Sequence, residues 1–483
     1  MSSLRGNPLL LVLFLAALHM LVFDRGLGGD GWAGFATLES LADDGDPWVE
    51  NQTRGVMNGL VGAPGGHLVL HHLVMHHLVM QYPPGILALD ALPFLAGRAA
   101  DRLLPARWMA GGVDLPPVGR VPRGVFLSAA MIVLARNLAT LLGLLWLGRA
   151  LRRMGFSAGI AAAAAALAFF GGPLIFYSLV GMSHAPTFAL AALLLLVLVR
   201  LDGWKLAFAA GAIVGGAVLL RYGSIVLAAP AVVAIFMKNG RFVGAALRGR
   251  PGRGEAASEQ PSVEQPTHPG RPHRAAPTKD VLSFAAGLAV SLIPLPFWWS
   301  WIFGSWRLPY GGTWVVSAAS PWNVLFSPVH GLFLFHPALL LAAVGLVMMI
   351  RRSPGWGAVA AVWFLAVAVL YGWWSEWSNP GGYGQRFLID ALPALGVGFA
   401  ALLEGGWLRL KATAAVGAAL LGYLLFFAAV GGLVVPPAGL PWPQRLSEYA
   451  PLLRRPPGPA ALGDALRRAS LPARAVAGPP PAR

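Results

Sequence analysis

The chain has 483 residues, 57% of them hydrophobic and only 12% charged, with a mean hydropathy of +0.64. Apolar runs of about 20 residues recur from end to end, and a soluble core of this size cannot bury them all. The formal charge of +16 would suggest nucleic acid in a soluble domain, but most Lys and Arg fall in loops and tails. There they read as positive charge kept on the cytoplasmic side, near anionic lipid, with no nucleic-acid partner. The absence of cysteine excludes disulfides, thiolate nucleophiles and Cys-ligated metals. Composition thus predicts an all-α integral membrane protein, a polytopic helical bundle.

Residues 8–23, PLLLVLFLAALHMLVF, form the first apolar segment, read as an uncleaved anchor. Residues 24–123 follow as a long extracytoplasmic loop carrying ten Asp and Glu against seven Arg, the reverse of the overall bias. It opens with GGDGWAGFATLESLADDGDPWVEN, in which Asp30 lies seven residues past Phe23. An acid so near a membrane face can act on a lipid headgroup; a solvated acidic loop is the plainer reading. Further on stands the tandem repeat HHLVM-HHLVM. On a helix its His72 and His76 would share a face at metal spacing, although a simple duplication explains the repeat equally well. The motif QYPPG, with Tyr82, precedes an apolar segment at 86–97, which is too short to span and predicts an amphipathic or re-entrant helix.

Spans are then predicted near 124–147, 157–176, 184–200, 206–221, 223–237, 281–302, 331–350, 355–374, 387–404 and 412–432, eleven with the first. Basic clusters at 149–153, 200–205, 238–279, 351–352 and 409–411 all fall inside if the N-terminus is cytoplasmic. Residues 239–280 are rich in Pro, Gly, Arg and Glu and predict a disordered cytoplasmic linker. It divides an N-terminal membrane half (1–238) from a C-terminal one (281–435), and a Pro-, Ala- and Arg-rich tail occupies 436–483.

Strongly polar groups at membrane depth carry a functional hypothesis by default. Here they are Arg136-Asn137, Arg221, Arg386 and Asp390, each also readable as an interfacial residue reaching to water. The set expected on the outer face comprises Asp30, the QYPPG turn, His184 in GMSHAP, His330 in FSPVHG, and Glu376 with Arg386 in WWSEWSNPGGYGQRF. Cations could hold a lipid phosphate while a carboxylate takes an acceptor's proton. Trp298, Trp299, Trp301, Trp306, Trp314, Trp322, Trp373, Trp374 and Trp377 read mainly as an interfacial aromatic belt, with a minority available to stack on sugars. There is no P-loop, dinucleotide fingerprint or HExxH, and Asp44-Gly45-Asp46 only superficially matches a nucleotide-sugar DxD.

The run from Gly28 to Gln52, together with QYPPG, GMSHA, FSPVHGLF and GGYGQRFLIDALPAL, resembles GT-C-type membrane glycosyltransferases. The likeness is to the group around glycosyltransferase family 39 and to bacterial protein-mannosyltransferase-like proteins. It extends over about residues 8–405 and rests on the order and spacing of five motifs. The resemblance implies a multi-span bundle with its site at the outer face, a polyprenyl-phosphate-linked sugar donor and an inverting hexosyl or pentosyl transfer. Asp30 matches the first residue of the group's acidic pair and would be the catalytic base. Gly31 stands where many members have Glu, leaving that role absent or supplied elsewhere, with Glu39 a candidate; Val329 replaces an often basic residue before His330.

The expectation is therefore a bacterial inner-membrane glycosyltransferase acting on a lipid, glycan or protein acceptor of the cell envelope. Arg386 and Arg136 would bind the donor phosphate, and Tyr82, His184, His330 and Glu376 would line the site. No metal centre is expected, His72 and His76 being the one pair at metal spacing; a divalent cation is the one cofactor candidate. The rivals are a lipid or polysaccharide flippase and a non-catalytic envelope component.

Overall fold

The computed structural model describes residues 7–23, 29–49, 83–105, 112–115, 119–122, 126–179, 182–239, 278–303, 319–327, 330–375, 384–404 and 408–430, with isolated positions at 306, 316, 317 and 377. The predicted linker (except Asn239 and its last residues, 278–280) and the 436–483 tail lie outside the described residues.

In chain order the helices are α1 (Pro8–Phe23), α2 (Gly29–Asp43), α3 (Gly85–Leu103), α4 (Phe126–Arg153), α5 (Ala158–Phe170), α6 (Leu174–Tyr177), α7 (His184–Arg200), α8 (Trp204–Leu220) and α9 (Ala228–Asn239). The second half contributes α10 (Thr278–Leu292), α11 (Pro294–Phe303), α12 (Ser320–Phe326), α13 (Leu332–Phe335), α14 (Pro337–Arg352), α15 (Pro354–Gly372), α16 (Leu392–Leu403) and α17 (Leu408–Val430). Two 3-10 segments, Tyr222–Leu227 and Arg386–Ala391, lead directly into α9 and α16. An antiparallel hairpin of β1 (Gly112–Leu115) and β2 (Gly119–Pro122) pairs Val113 with Val121.

Among the described residues, four stretches are long and apolar enough to cross a membrane: Leu127–Arg153, Thr278–Ile302, Pro354–Gly372 and Arg386–Leu403. Shorter apolar helices pack around them, and the chain is a helical membrane protein, as its composition predicted. Every residue of α16 is buried, which makes it the central helix. It fits because it carries small residues where neighbours come closest. A Cβ at Gly345 of α14 would collide with the Gly398 carbonyl of α16, and one at Gly398 with the Ala342 carbonyl of α14. The same reciprocity joins α8 to α10, where Gly211 meets the Phe284 carbonyl and Gly287 meets the Phe208 carbonyl. With no hydrophobic force between helices in lipid, such backbone contact is what holds them.

The expected short segment at 86–97 is longer. Helix α3 runs over 19 residues, from Gly85 to Leu103, because the polar residues that end the apolar run are all accommodated. Asp90 and Asp101 are buried, and Arg98 pairs with Asp43 of α2. Asp101 accepts from Leu127 N (3.1 Å), Ser128 N (3.0 Å) and Ser128 Oγ (2.6 Å). It thereby caps the free amides that open α4, a cap supplied from another helix.

Salt bridges and basic side chains mark one of the bundle's two ends. There Lys238 pairs with Asp202 (3.1 Å), Arg352 pairs with Glu404 and lies over the Phe156 ring, and Lys205 and Lys279 flank Trp204. At the other end lie the starts of α7 and α16 and the ends of α8 and α15.

Candidate functional site

At that second end two interrupted segments meet. Arg221, between α8 and the 3-10 segment Tyr222–Leu227, sends Nη1 to Asp390 Oδ1 (3.4 Å) and Nη2 to the Tyr371 hydroxyl (3.2 Å). Ser224 Oγ donates to the other Asp390 oxygen (2.8 Å), and Trp363 Nε1 donates to the Asp390 backbone carbonyl (2.8 Å). Asp390 is fully buried and Arg221 nearly so. Both carboxylate oxygens are thus used, which lets a charge sit beside apolar helices. Asp390 joins α8, α15 and the start of α16 at one point.

Phe387 occupies the centre of this cluster. Its ring stacks on Tyr371 (5.0 Å between centroids, 19° between planes). The Arg221 guanidinium lies 5.6 Å from the ring centroid and that of Arg386 lies 5.0 Å from it. His184 tilts against the same ring at 6.5 Å and stacks on Tyr177 at 5.0 Å. It is buried, neither ring nitrogen has a hydrogen-bond partner, and it lies within electrostatic reach of both arginines. Two guanidinium groups and an imidazole therefore surround one aromatic ring, with Asp390 as the neighbouring carboxylate among the described residues. A surplus of donors and positive charge at a membrane face favours an anion.

Arg386 reaches this place through a local turn. Gly384 takes a φ of +62°, a conformation that glycine adopts without strain, and packs against the His336 ring. Gln385 is buried, donates to the Trp377 carbonyl (3.2 Å) and accepts from Phe387 N (3.4 Å), fixing the start of the 3-10 segment. His330 is buried and stacks on Phe335, which lies against Gly384, so it borders the segment leading into Arg386.

The other sequence candidates fall as follows. Asp30 is the second residue of α2, one turn before Gly34; its side chain lies outside the described part. A Cβ at Gly34 would touch Leu87 of α3, and Phe35 meets Phe94 edge-on at 5.4 Å. With Asp43 paired to Arg98, these contacts run in the same order along both helices, so α2 and α3 start at the same end. Gly85, at the start of α3, packs directly on the Leu219 backbone, two residues before Arg221. The backbone thus puts position 30 at the end of α2 nearest the arginine cluster.

Glu39 cannot replace the acid missing at position 31. Nine residues along a helix from Asp30 place it about 13 Å away and on the opposite face. There its carboxyl is pushed up to about 7 by burial, then by the charge of Asp43, with Arg98 opposing. Arg136, expected on the donor phosphate, is instead buried and bound to Asp90 through Nε (3.1 Å) and Nη2. Asp44-Gly45-Asp46 is a helix stop. Gly45 has φ +77°, and Asp46 Oδ1 accepts from Ser40 Oγ (3.1 Å) and Trp48 N (2.9 Å). Tyr82, Glu376, His72 and His76 lie outside the described residues, among which no group of three metal-binding side chains occurs.

Several tryptophans are exposed as an interfacial belt would be: Trp301, Trp306 and Trp322. Trp299 differs, donating Nε1 to the Tyr222 hydroxyl (3.0 Å) beside Arg221. Asp90, Tyr371, Ser224 and Trp363 carried no sequence signal. Arg221 and Asp390 did, as charges in apolar spans, but nothing in the sequence pairs residues 169 positions apart.

No protein-family model matches the chain, and no curated protein does. Among solved structures it is similar to ArnT from Cupriavidus metallidurans bound to undecaprenyl phosphate, with 15% identity and a TM-score of 0.48 over 95% of this chain and 74% of that one. It is also similar to the archaeal oligosaccharyltransferase AglB from Archaeoglobus fulgidus in complex with an inhibitory peptide and a dolichol-phosphate. There the identity is 13% and the TM-score 0.49, over 97% of this chain and 56% of that one. The apo form of the Archaeoglobus fulgidus oligosaccharyltransferase gives 12% and 0.43, over 91% of this chain and 59% of that one. The chain thus spans about three quarters of ArnT and little more than half of the oligosaccharyltransferases.

Proposed function

We propose that the protein is a membrane glycosyltransferase that moves a sugar from a polyprenyl-phosphate donor to a lipid, glycan or protein acceptor outside the cytoplasm. The observation that carries this reading is the placement of Arg221, Arg386 and His184 around Phe387, beside the buried carboxylate of Asp390. The motif order described above supports the donor class. In the transfer, Asp30 takes the acceptor hydroxyl's proton as that oxygen bonds to the anomeric carbon. The bond from that carbon to the phosphate oxygen breaks with inversion, and its electron pair leaves on the polyprenyl phosphate. Negative charge grows on the phosphate in that step, where fixed arginines act most strongly. Arg386, half-buried, offers its fork to the phosphate, whereas Arg221 is held by Asp390 and adds a fixed charge.

Position within the bilayer favours this over a flippase. Helix α8 runs 17 residues, about 25 Å, before it reaches Arg221, so the break lies near a membrane face and not at the midplane. The basic Lys238 and Arg352 end is taken as cytoplasmic and the Arg386 end as extracytoplasmic.

Lysine cannot reproduce a guanidinium's two parallel hydrogen bonds to phosphate. Arg386→Lys is therefore expected to stay folded while its affinity for polyprenyl phosphate falls by about 10- to 100-fold. Binding in nanodiscs measures this, alongside sugar transfer from the lipid-linked donor. Wild-type affinity in the variant would make Arg386 an interfacial residue and remove the phosphate site.

A further inference from the structure

Arg136 and Asp90 form the most deeply buried ion pair among the described residues, with side-chain exposures of 1% and 0%. The carboxylate is gripped by two guanidinium nitrogens, while the third, Nη1, has no partner. Such a pair is a weak source of stability compared with apolar residues of the same volume, yet it is directional. It therefore asks for a role in register.

The surrounding contacts supply one. Helix α3 meets its neighbours through bare backbone: Gly85 on Leu219, and Gly97 on Leu127 and Ser128. These contacts and the Asp101 hydrogen bonds to Leu127 and Ser128 hold α3 near its two ends; between them, Asp90 is the residue that ties the middle of α3 to α4. A slip of one residue would turn Asp90 by about 100° away from Arg136. Helix α2, in turn, packs chiefly on α3 among the described helices. The position of Asp30 relative to Arg221 and Arg386 is thus transmitted through α3.

We infer that Asp90 and Arg136 are positioning residues that lock the register of α3, and through it hold Asp30 opposite the arginine cluster. The inference rests on the glycosyltransferase reading for the identity of what is positioned. The register lock itself stands apart from it. Arg136 is then a fixture of the fold and not a ligand of the donor phosphate.

The test compares the full-length protein with Asp90→Asn and with the neutral double variant Asp90→Asn/Arg136→Gln, all in nanodiscs. Hydrogen exchange is read over 29–43 and 83–105, with polyprenyl phosphate affinity and sugar transfer measured beside it. In Asp90→Asn, exchange in α2 and α3 is expected to rise roughly tenfold while α7 and α16 stay protected. Donor affinity should hold, and kcat should fall by about 10²-fold, as for a misplaced catalytic group. In the double variant two amides can pair, so protection and kcat should recover in part. If Asp90→Asn does not fold, the double variant decides alone. Its exchange should then lie close to wild type with donor affinity intact.

Unchanged exchange in α2 and α3 of folded Asp90→Asn would overturn the register lock. Weakened donor binding in the double variant, with normal exchange, would make Arg136 a phosphate ligand instead. Should the wild type transfer no sugar at all, the function reading fails, but the exchange result still decides the role of the pair.

Discussion

Asp30→Asn is expected to give a stable, correctly inserted protein whose sugar-transfer rate is lower by about 10²–10⁴-fold, with donor affinity little changed. The reason is chemical. A sugar hydroxyl has a high pKa and attacks well only if its proton leaves as the new bond forms. Asparagine keeps the shape and the hydrogen bonding of aspartate but accepts no proton. Position 30 opens α2 at the end of that helix nearest Arg221, whereas Glu39 lies on the far face. Asp44→Asn is the control, since Asp44 belongs to the turn that stops α2, where the backbone amides of Asp44 and Gly45 bond to the Ser40 carbonyl. Transfer from a polyprenyl-phosphate sugar in nanodiscs measures both. Full activity in Asp30→Asn, or a larger loss in Asp44→Asn, would move the base elsewhere.

The largest loss of stability is expected from Asp390→Leu. The substitution takes the Asp390 carboxylate away from the buried Arg221 and deprives Ser224 of its acceptor. Breaking a buried pair by removing one member costs about 3–5 kcal/mol. The half-exposed Arg352–Glu404 pair at the other end provides the contrast, and Glu404→Gln should cost about 1 kcal/mol or less. Thermal unfolding in detergent compares the two. Equal, small shifts would show that Arg221 finds another partner and that Asp390 does not organise the site.

Much of the bundle was legible because the spans announce themselves by composition. Helices α7 and α8 lie within two residues of the stretches predicted at 184–200 and 206–221. What failed was the reading of polar residues inside helices. Asp90, Arg98 and Asp101 interrupt the apolar run of α3, and only tertiary partners on α2 and α4 make them helical. At the candidate site the sequence reading put Arg386 and His184 at one face, and the fold brings both to Phe387. Arg136 misled for the converse reason, since a charge in an apolar span signals only that a partner exists. Here the partner is Asp90, from 46 residues earlier, and periodicity cannot reveal such a pairing. The hairpin at 112–122 was not foreseen, because its strands are only four residues long and one of them ends in proline.

The close seam between α8 and α10 bears on chain continuity. Gly211 and Gly287 interlock the two helices by backbone contact, Gly215 packs on the Ser291 side chain, and these helices lie on opposite sides of the 240–277 segment. The seam is therefore expected to suffice for recognition between the halves. Two polypeptides ending at 239 and beginning at 278, made separately in the same cell, should assemble into one protein that co-purifies and carries sugar-transfer activity. Failure to co-purify would show that the tether does more than connect. Assembly would make this a protein whose halves can be exchanged, tagged or mixed as independent parts.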